Sequence, residues 1–239
     1  MGLVLGVGCG PSYSGAAGLI MRNAILDRAL QSTLAQTRLR SLSNMLSYGA
    51  NAPKAHQRLT LSPQMISARY FVGGNANLIL GHWHSGQVRG GDWDQSTRAF
   101  DKSIKYGACL KHFRDGTPWQ KTQAITYGLK RLAELGKYDA CRTEADLIAR
   151  YENLDGLWAA TKAAGRLPDT AHKNTSPTDS ILVHIARDGT ILFGNKGFHR
   201  LAIAKIANVP EITVMVGVVH EDAVVSPIYA RLIRDYALV

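Results

Sequence analysis

The stretch Ser180-Ile-Leu-Val-His-Ile-Ala-Arg-Asp-Gly-Thr-Ile-Leu-Phe-Gly-Asn-Lys-Gly-Phe-His-Arg-Leu-Ala-Ile-Ala-Lys-Ile-Ala-Asn-Val-Pro-Glu-Ile-Thr-Val-Met-Val-Gly-Val-Val-His220 says most about how this chain folds. Ile181 to Ile185 is short, β-branched and bounded by turn formers, which reads as a strand. Arg187-Asp188-Gly189-Thr190 is a hairpin signal, because Asp-Gly supplies the positive φ of a tight turn. Thr190 to Phe193 reads as the returning strand. Gly194-Asn195-Lys196-Gly197 then breaks the chain, and Phe198-His199-Arg200 opens a helix. Leu201, Ile203, Ala204 and Ile206 give that helix an apolar face. Asn208 with Pro210 ends it, and Ile212 to Val219 reads as a third strand.

The chemistry of this unit sits at the corner from Asn195 to Arg200. The first turn of a helix leaves backbone N–H groups without partners, and these attract anions. Glycine at 197 lets a ligand approach the backbone closely. His199 and Arg200 add donors suited to phosphate oxygens. Asn195, Lys196, Gly197, Phe198, His199 and Arg200 are therefore the candidate phosphate-binding residues, with His199 also a candidate catalytic group. The plainer alternative is a glycine corner that only lets a helix pack on a sheet.

Strand, Asp-Gly hairpin, strand, Gly197-Phe-His-Arg-Leu-Ala-Ile-Ala-Lys205 helix and strand together resemble the ParB/sulfiredoxin superfamily. Arg58-Leu-Thr-Leu-Ser-Pro-Gln-Met-Ile66 resembles that family's first strand and the Pro-x-x-Ile after it. Leu154 to Gly165 resembles the helix before its central strand. The resemblance implies an α+β fold with a small mixed β-sheet, and a nucleotide, ATP or CTP, at the Gly197 corner. It divides the chain into an N-terminal helical arm, residues 1–53, and a domain, residues 54–239, with a helical insertion at about 95–150. Sulfiredoxin has a cysteine before its His-Arg pair where this chain has Phe198. Chromosome-partitioning members have Glu-Arg-Arg where it has Phe198-His199-Arg200. Tyr48-Gly-Ala-Asn-Ala-Pro53 and Gly90-Gly-Asp-Trp-Asp94 bring the chain closest to a little-characterised branch common in haloarchaea.

A chain of 239 residues, 46% of them hydrophobic, suits one or two domains with a sizeable core. No stretch approaches the ~20 apolar residues of a membrane helix. The apolar start, Met1 to Cys9, is short and lacks a basic leader, so it does not read as a signal peptide. Gly6, Gly8 and Gly10 form an incomplete dinucleotide-type run. Three scattered cysteines, Cys9, Cys109 and Cys141, argue for a reducing compartment, taken as the cytoplasm. A net charge of +10 favours polyanionic partners, nucleotides or nucleic acid.

Elsewhere, Tyr13 to Tyr48 reads as a helix or helix pair with arginines between leucines. It is either an arm for nucleic acid or an amphipathic packing helix, the latter favoured. Leu59 to Leu61 and Leu78 to Leu80 read as strands, Thr97 to Cys109 as helix. Thr117-Pro-Trp-Gln120 reads as the capped start of a helix ending at Gly136. Thr143, with Asp146 at N3, caps a helix closed by Gly165. Leu167 to Thr178 reads as an exposed loop. The matching loop of the superfamily that the chain resembles lies near the nucleotide, which implies that His172 and Lys173 could touch a base or phosphate, a mobile connector being the favoured alternative. Ser226-Pro227 reads as the cap of a terminal helix, Ile228 to Leu238.

Gly81-His-Trp-His-Ser-Gly-Gln-Val-Arg-Gly-Gly-Asp-Trp-Asp94 is the second constellation. In an extended segment Asp92 and Asp94 share one side. Such a pair could hold a hydrated magnesium ion or supply a general base, making both residues candidate metal ligands and catalytic groups. His82 and His84 have the same spacing and could bind a metal or phosphate. The alternative is a turn in which the aspartates cap a helix near Gln95 and Trp93 is a buried plug.

Taken together, these residues point to a magnesium-dependent nucleotide-binding enzyme of the phosphoryl-transfer or nucleotide-hydrolysis type. Two other classes stay open: a nucleic-acid-binding module with or without nuclease activity, and a non-catalytic assembly protein on the same fold.

Overall fold

The computed structural model describes residues 34–71, 80–168 and 180–237. The readings at Gly6 to Gly10, at most of Tyr13 to Tyr48, at Leu78-Ile79, and at His172 and Lys173 lie outside those residues. Among the described residues the fold is α+β, a mixed seven-stranded sheet with seven helices. Its strands are β1 Arg58–Leu61, β2 Ala68–Tyr70, β3 Val88–Arg89, β4 Thr97–Ala99, β5 Ile181–Ile185, β6 Ile191–Phe193 and β7 Ile212–His220. The spatial order is β1-β7-β5-β6-β2-β4, with β3 alongside the end of β7. β5 runs parallel to β7 and antiparallel to β6.

The centre of the sheet follows from its sequence. All five residues of β5 and eight of the nine of β7 are buried. Strands covered on both faces read as such unbroken apolar runs. Alternation along β5 sends Ile181, Val183 and Ile185 to the main core and His184 to the opposite face. That opposite face carries a smaller cluster of Tyr70, Leu80, Trp93, Ala186, Leu192 and Val218. His184 fits there because Gly194 and Gly217 lie beside it; a Cβ on Gly217 would come within 2.5 Å of its Nδ1.

The helices are α1 Leu34–Tyr48, α2 Ile104–Asp115, α3 Gln123–Leu135, α4 Glu144–Ala164, α5 Phe198–Ile206, α6 Glu221–Val225 and α7 Pro227–Tyr236. α2, α3 and α4 lie between β4 and β5 in the chain, and α2 and α4 both pack on α5. The expected cap of α4 is present: Thr143 accepts from the Asp146 amide, and Asp146 accepts from the Thr143 amide. Gly165 closes the helix at φ 62°. None of the helices among the described residues is long and apolar enough to cross a membrane.

Three local readings differ. Thr97 to Ala99 is an edge strand, not helix, paired with β2; the helix begins at Ile104 with Ser103 accepting from the Tyr106 amide. Thr117 caps nothing: Trp119–Lys121 is a single 3-10 turn and α3 starts after Thr122. α1 is not an ordinary packing helix, because its polar side faces the body. Arg40 donates to the Trp83 and Ser85 carbonyls, and Asn44 to those of Pro53 and Gly86.

Candidate functional site

The two constellations lie at opposite ends of the β5–β6 hairpin. Gly197 packs on the start of β5: a Cβ there would meet the Ile181 Cα at 2.9 Å. Arg187, beyond the far end of β5, holds both aspartates. From residue 181 to 187 an extended chain covers about 20 Å. Asp92 and Asp94 therefore do not form one site with the Gly197 corner.

At the far end the carboxylates are already engaged. Asp94 is buried. It accepts from the Arg187 backbone N–H at 2.9 Å, and from that side chain's Nε and Nη at 2.9 and 2.8 Å. Burial pushes the Asp94 carboxyl up, but the side-chain and backbone hydrogen bonds from Arg187 outweigh it and hold the group below its usual value. The exposed Asp92 accepts from the same guanidinium at 2.9 Å. Arg187 also donates to the Gly91 carbonyl, and His220 closes on that carbonyl from the other side at 2.7 Å. This is a clamp that fixes the 89–95 turn to the hairpin.

The expectation that spacing i, i+2 aligns side chains needed an extended segment. Trp93–Gln95 is a 3-10 turn instead, and so is His82–His84. Asp92 and Asp94 still converge, but on a single Arg187 Nη that occupies both carboxylates. His84 Nδ1 accepts from the Gly81 amide. Burial, then the charges of Arg89 and Arg40, push His84 down to about 4. Asp92 caps no helix with its side chain, while Trp93 is the buried plug. Among the described residues no group of three or more His, Cys, Asp or Glu side chains is placed to hold a metal.

The Gly197 end is open. Gly197 is the N-cap of α5 at φ 83° and has no side chain with which to cap the helix. In front of it lies a cavity of about 910 Å³. Asn195 to Arg200 form one wall; the other comes from Lys105 at the start of α2, the 139–142 turn and the first turns of α4. His199 is only 9% exposed, and its Nε2 is sealed from solvent with no hydrogen-bond partner among the described residues. Burial, then the Lys105 charge, push this histidine down to about 4, with Asp139 opposing and Arg150 adding to the fall. It is a neutral imidazole at pH 7.

The opposite wall is charged. Asp139 pairs with Lys105 at 2.9 Å and with Arg150 at 3.1 Å. Asp139 and Ala140 both have positive φ, 52° and 69°. Neither is glycine, so the turn carries strain of the kind found at functional sites. Asp146 is spent on the α4 cap. Counting side chains, Lys105, Arg142, Arg150, Lys196 and Arg200 line the cavity against Asp139 and Asp146.

Not every predicted phosphate ligand serves with its side chain. Phe198 stacks on Phe100, ring centres 4.6 Å apart, so only its backbone can face a ligand. Arg200 spends one Nη on the Pro168 carbonyl at 2.9 Å. Asn195, Lys196 and His199 do line the cavity. Lys105, Asp139, Arg142 and Arg150 were missed. The one local signal was Tyr138-Asp-Ala-Cys141, which closes a tight two-residue turn: the Tyr138 and Cys141 amides each donate to the other's carbonyl. No protein-family model, curated protein or solved structure matches this chain.

Proposed function

We propose that the chain is a nucleotide-binding protein of the ParB/sulfiredoxin type, with its phosphate site at the Gly197 end of the hairpin. Phosphoryl transfer or nucleotide hydrolysis is the reaction class it is suited to. The observation that carries this reading is the start of α5 at Gly197 facing a cavity lined by five basic side chains, Lys105, Arg142, Arg150, Lys196 and Arg200. A helix N-terminus attracts phosphate through its amides and dipole. A cavity of about 910 Å³ has the size of a small-ligand site.

The roles follow from position. The amides of the first turn of α5 and the side chains of Lys196 and Arg200 would face phosphate oxygens. Lys105, Arg142 and Arg150 would balance charge from the other wall. Neutral His199 is the candidate general base on this wall, and its Nε2, sealed from solvent in this structure, would have to be uncovered to take a proton from an attacking water or hydroxyl. Magnesium, if the nucleotide carries it, would be held by phosphate oxygens; Asp139 is the cavity carboxylate not spent on a helix cap. Asp92 and Asp94 have no part in this reading.

Calorimetric titration with ATP, CTP and pyrophosphate, with and without magnesium, tests it. Saturable binding is expected, weakened at least tenfold in Arg150→Ala and in Lys196→Glu. No binding by any of the three, or unchanged binding in both variants, overturns it. A titration with single-stranded DNA over a salt series addresses the nucleic-acid reading, since counterion release makes such binding fall steeply with salt.

A further inference from the structure

α1 is amphipathic the wrong way round. At about 100° per residue, Thr37, Arg40, Ser41, Asn44 and Tyr48 share one side of the helix. That side meets the rest of the chain through hydrogen bonds: Arg40 and Asn44 donate to four backbone carbonyls, and the Tyr48 hydroxyl reaches Glu221 at 3.2 Å. Thr37 and Asn44 are buried. On the other side Leu39, Leu42, Met45 and Leu46 stand 64%, 50%, 47% and 77% exposed. Ordinary helices bury the leucines and expose the asparagine. The body is anchored to the polar side, and among the described residues nothing covers the apolar one.

We infer that α1 is a dimerisation helix and that its occupant is α1 of a second copy, antiparallel about a two-fold axis. Leu39, Leu42 and Leu46 recur at i, i+3 and i+7, the seam spacing of a two-helix coiled contact. The seam is self-complementary when reversed: Leu39 of each copy meets Leu46 of the other, and the two Leu42 side chains flank the axis. A two-fold contact uses one patch on both copies. Charge selects the direction. The last turn of α1 has no basic residue, and its first turn has no acidic one. Antiparallel pairing brings the exposed Arg38 of each copy to the other's carbonyl end, where the helix dipole favours a cation. Parallel pairing would set Arg38 against Arg38.

The area is consistent with this. The four side chains leave roughly 300–500 Å² of apolar surface on each copy, the size at which a patch marks an interaction site. With its polar rim, the doubled patch reaches the ~1,000 Å² at which specific interfaces begin. The inference requires nothing of the ligand cavity.

Light scattering and sedimentation of the full chain over a concentration series test it. The expected species is a dimer of the 26.0 kDa chain, in concentration-dependent equilibrium with monomer. Leu42→Asp with Leu46→Asp should give monomer only, melting where the wild type melts once diluted to monomer, because both residues are exposed in the single chain. Direction is read by cross-linking in a Cys9→Ser background, since Cys109 and Cys141 are buried. Leu39→Cys with Leu46→Cys should link into dimers through a short bis-maleimide, and Leu39→Cys alone should not. A wild-type monomer at every concentration, or a dimer that survives the double aspartate, overturns the inference. Linking by Leu39→Cys alone overturns the antiparallel arrangement. A monomer whose Leu42→Cys thiol is shielded from reagent also overturns it, by showing that the chain covers its own helix.

Discussion

One hairpin presents charged groups at both of its ends, and the two ends are built on different principles. At the Arg187 end every strong group has a partner: the guanidinium serves Asp92, Asp94 and the Gly91 carbonyl, and His220 serves the same carbonyl. At the Gly197 end the N-cap is a glycine with no side chain to offer, His199 Nε2 is sealed and without a hydrogen-bond partner among the described residues, and a cavity lies beside them. A satisfied buried network rigidifies a fold. An unsatisfied one beside open volume is costly unless something binds there. The density of Asp, Gly, Trp and His near residue 90 is thus the signature of a clamp. The sparser Gly-Phe-His-Arg corner has the makings of a site.

The largest expected effect comes from breaking the clamp. Arg187→Ala leaves the buried Asp94 with one hydrogen bond, from the backbone N–H of residue 187, and with His220 Nε2 at 3.8 Å. Removing one partner of a buried pair costs about 3–5 kcal/mol. The loss should fall below that range, because the guanidinium is more than a third exposed and solvent screens its side of the pair. Urea unfolding measures it. Arg187→Met with Asp94→Leu should recover most of the loss, since an apolar pair leaves no stranded charge. Nucleotide affinity per folded molecule should not change in either variant. A tenfold loss of affinity there would break the comparison by making the clamp part of the site.

A smaller stability effect and a larger binding effect are expected at the other end. Gly197→Ala puts a Cβ at 2.9 Å from the Ile181 Cα in a residue at φ 83°. Strain at positive φ alone costs about 1–3 kcal/mol, and relieving the contact shifts the start of α5. Urea unfolding should show a loss of about 2 kcal/mol, and nucleotide titration a loss of affinity well beyond tenfold. Stability lost with affinity kept would mean that the corner serves packing alone.

How much of this was legible in the sequence depended on how local each contact is. β5, the Asp-Gly turn, β6, α5 and β7 were readable because each is set by neighbours within a few residues. The Thr143–Asp146 cap and Gly165 were readable for the same reason. The clamp was not: Asp94 finds Arg187 93 residues away, and nothing near Asp94 announces that partner. The second wall of the cavity came from α2, the 139–142 turn and α4, elements that meet α5 only in three dimensions. Thr97 to Ala99 became a strand because β2 offered an edge. α1 had the expected period but the opposite orientation, because hydrogen bonds from Arg40 and Asn44 anchor it. Periodicity reports that a helix has two sides, and tertiary contacts choose which one is inside.

The smallest effect separates the two ends by pH. His199 is held down to about 4, by burial first, while the unfolded chain titrates near 6.5. Between those values the unfolded state binds the extra proton, so stability is full above about pH 6.5 and falls as pH drops toward 4. One such histidine contributes about 1 kcal/mol of the change between pH 7 and pH 5.5. His199→Leu should remove that share of the slope, read as melting temperature against pH. His184, held down to about 3 by burial with a smaller share from the His84 charge, gives a slope of the same sign but sits in an aromatic slot between Tyr70 and Trp93. The Asp94 clamp acts lower still: a carboxylate held below its usual value loses its contribution only as pH falls under about 4. A bound phosphate would raise the His199 value, because an anion favours the imidazolium. Saturating pyrophosphate should therefore flatten the wild-type slope between pH 7 and pH 5.5 and leave that of His199→Leu unchanged. Equal flattening in both would place the anion away from His199, and with it the proposed site.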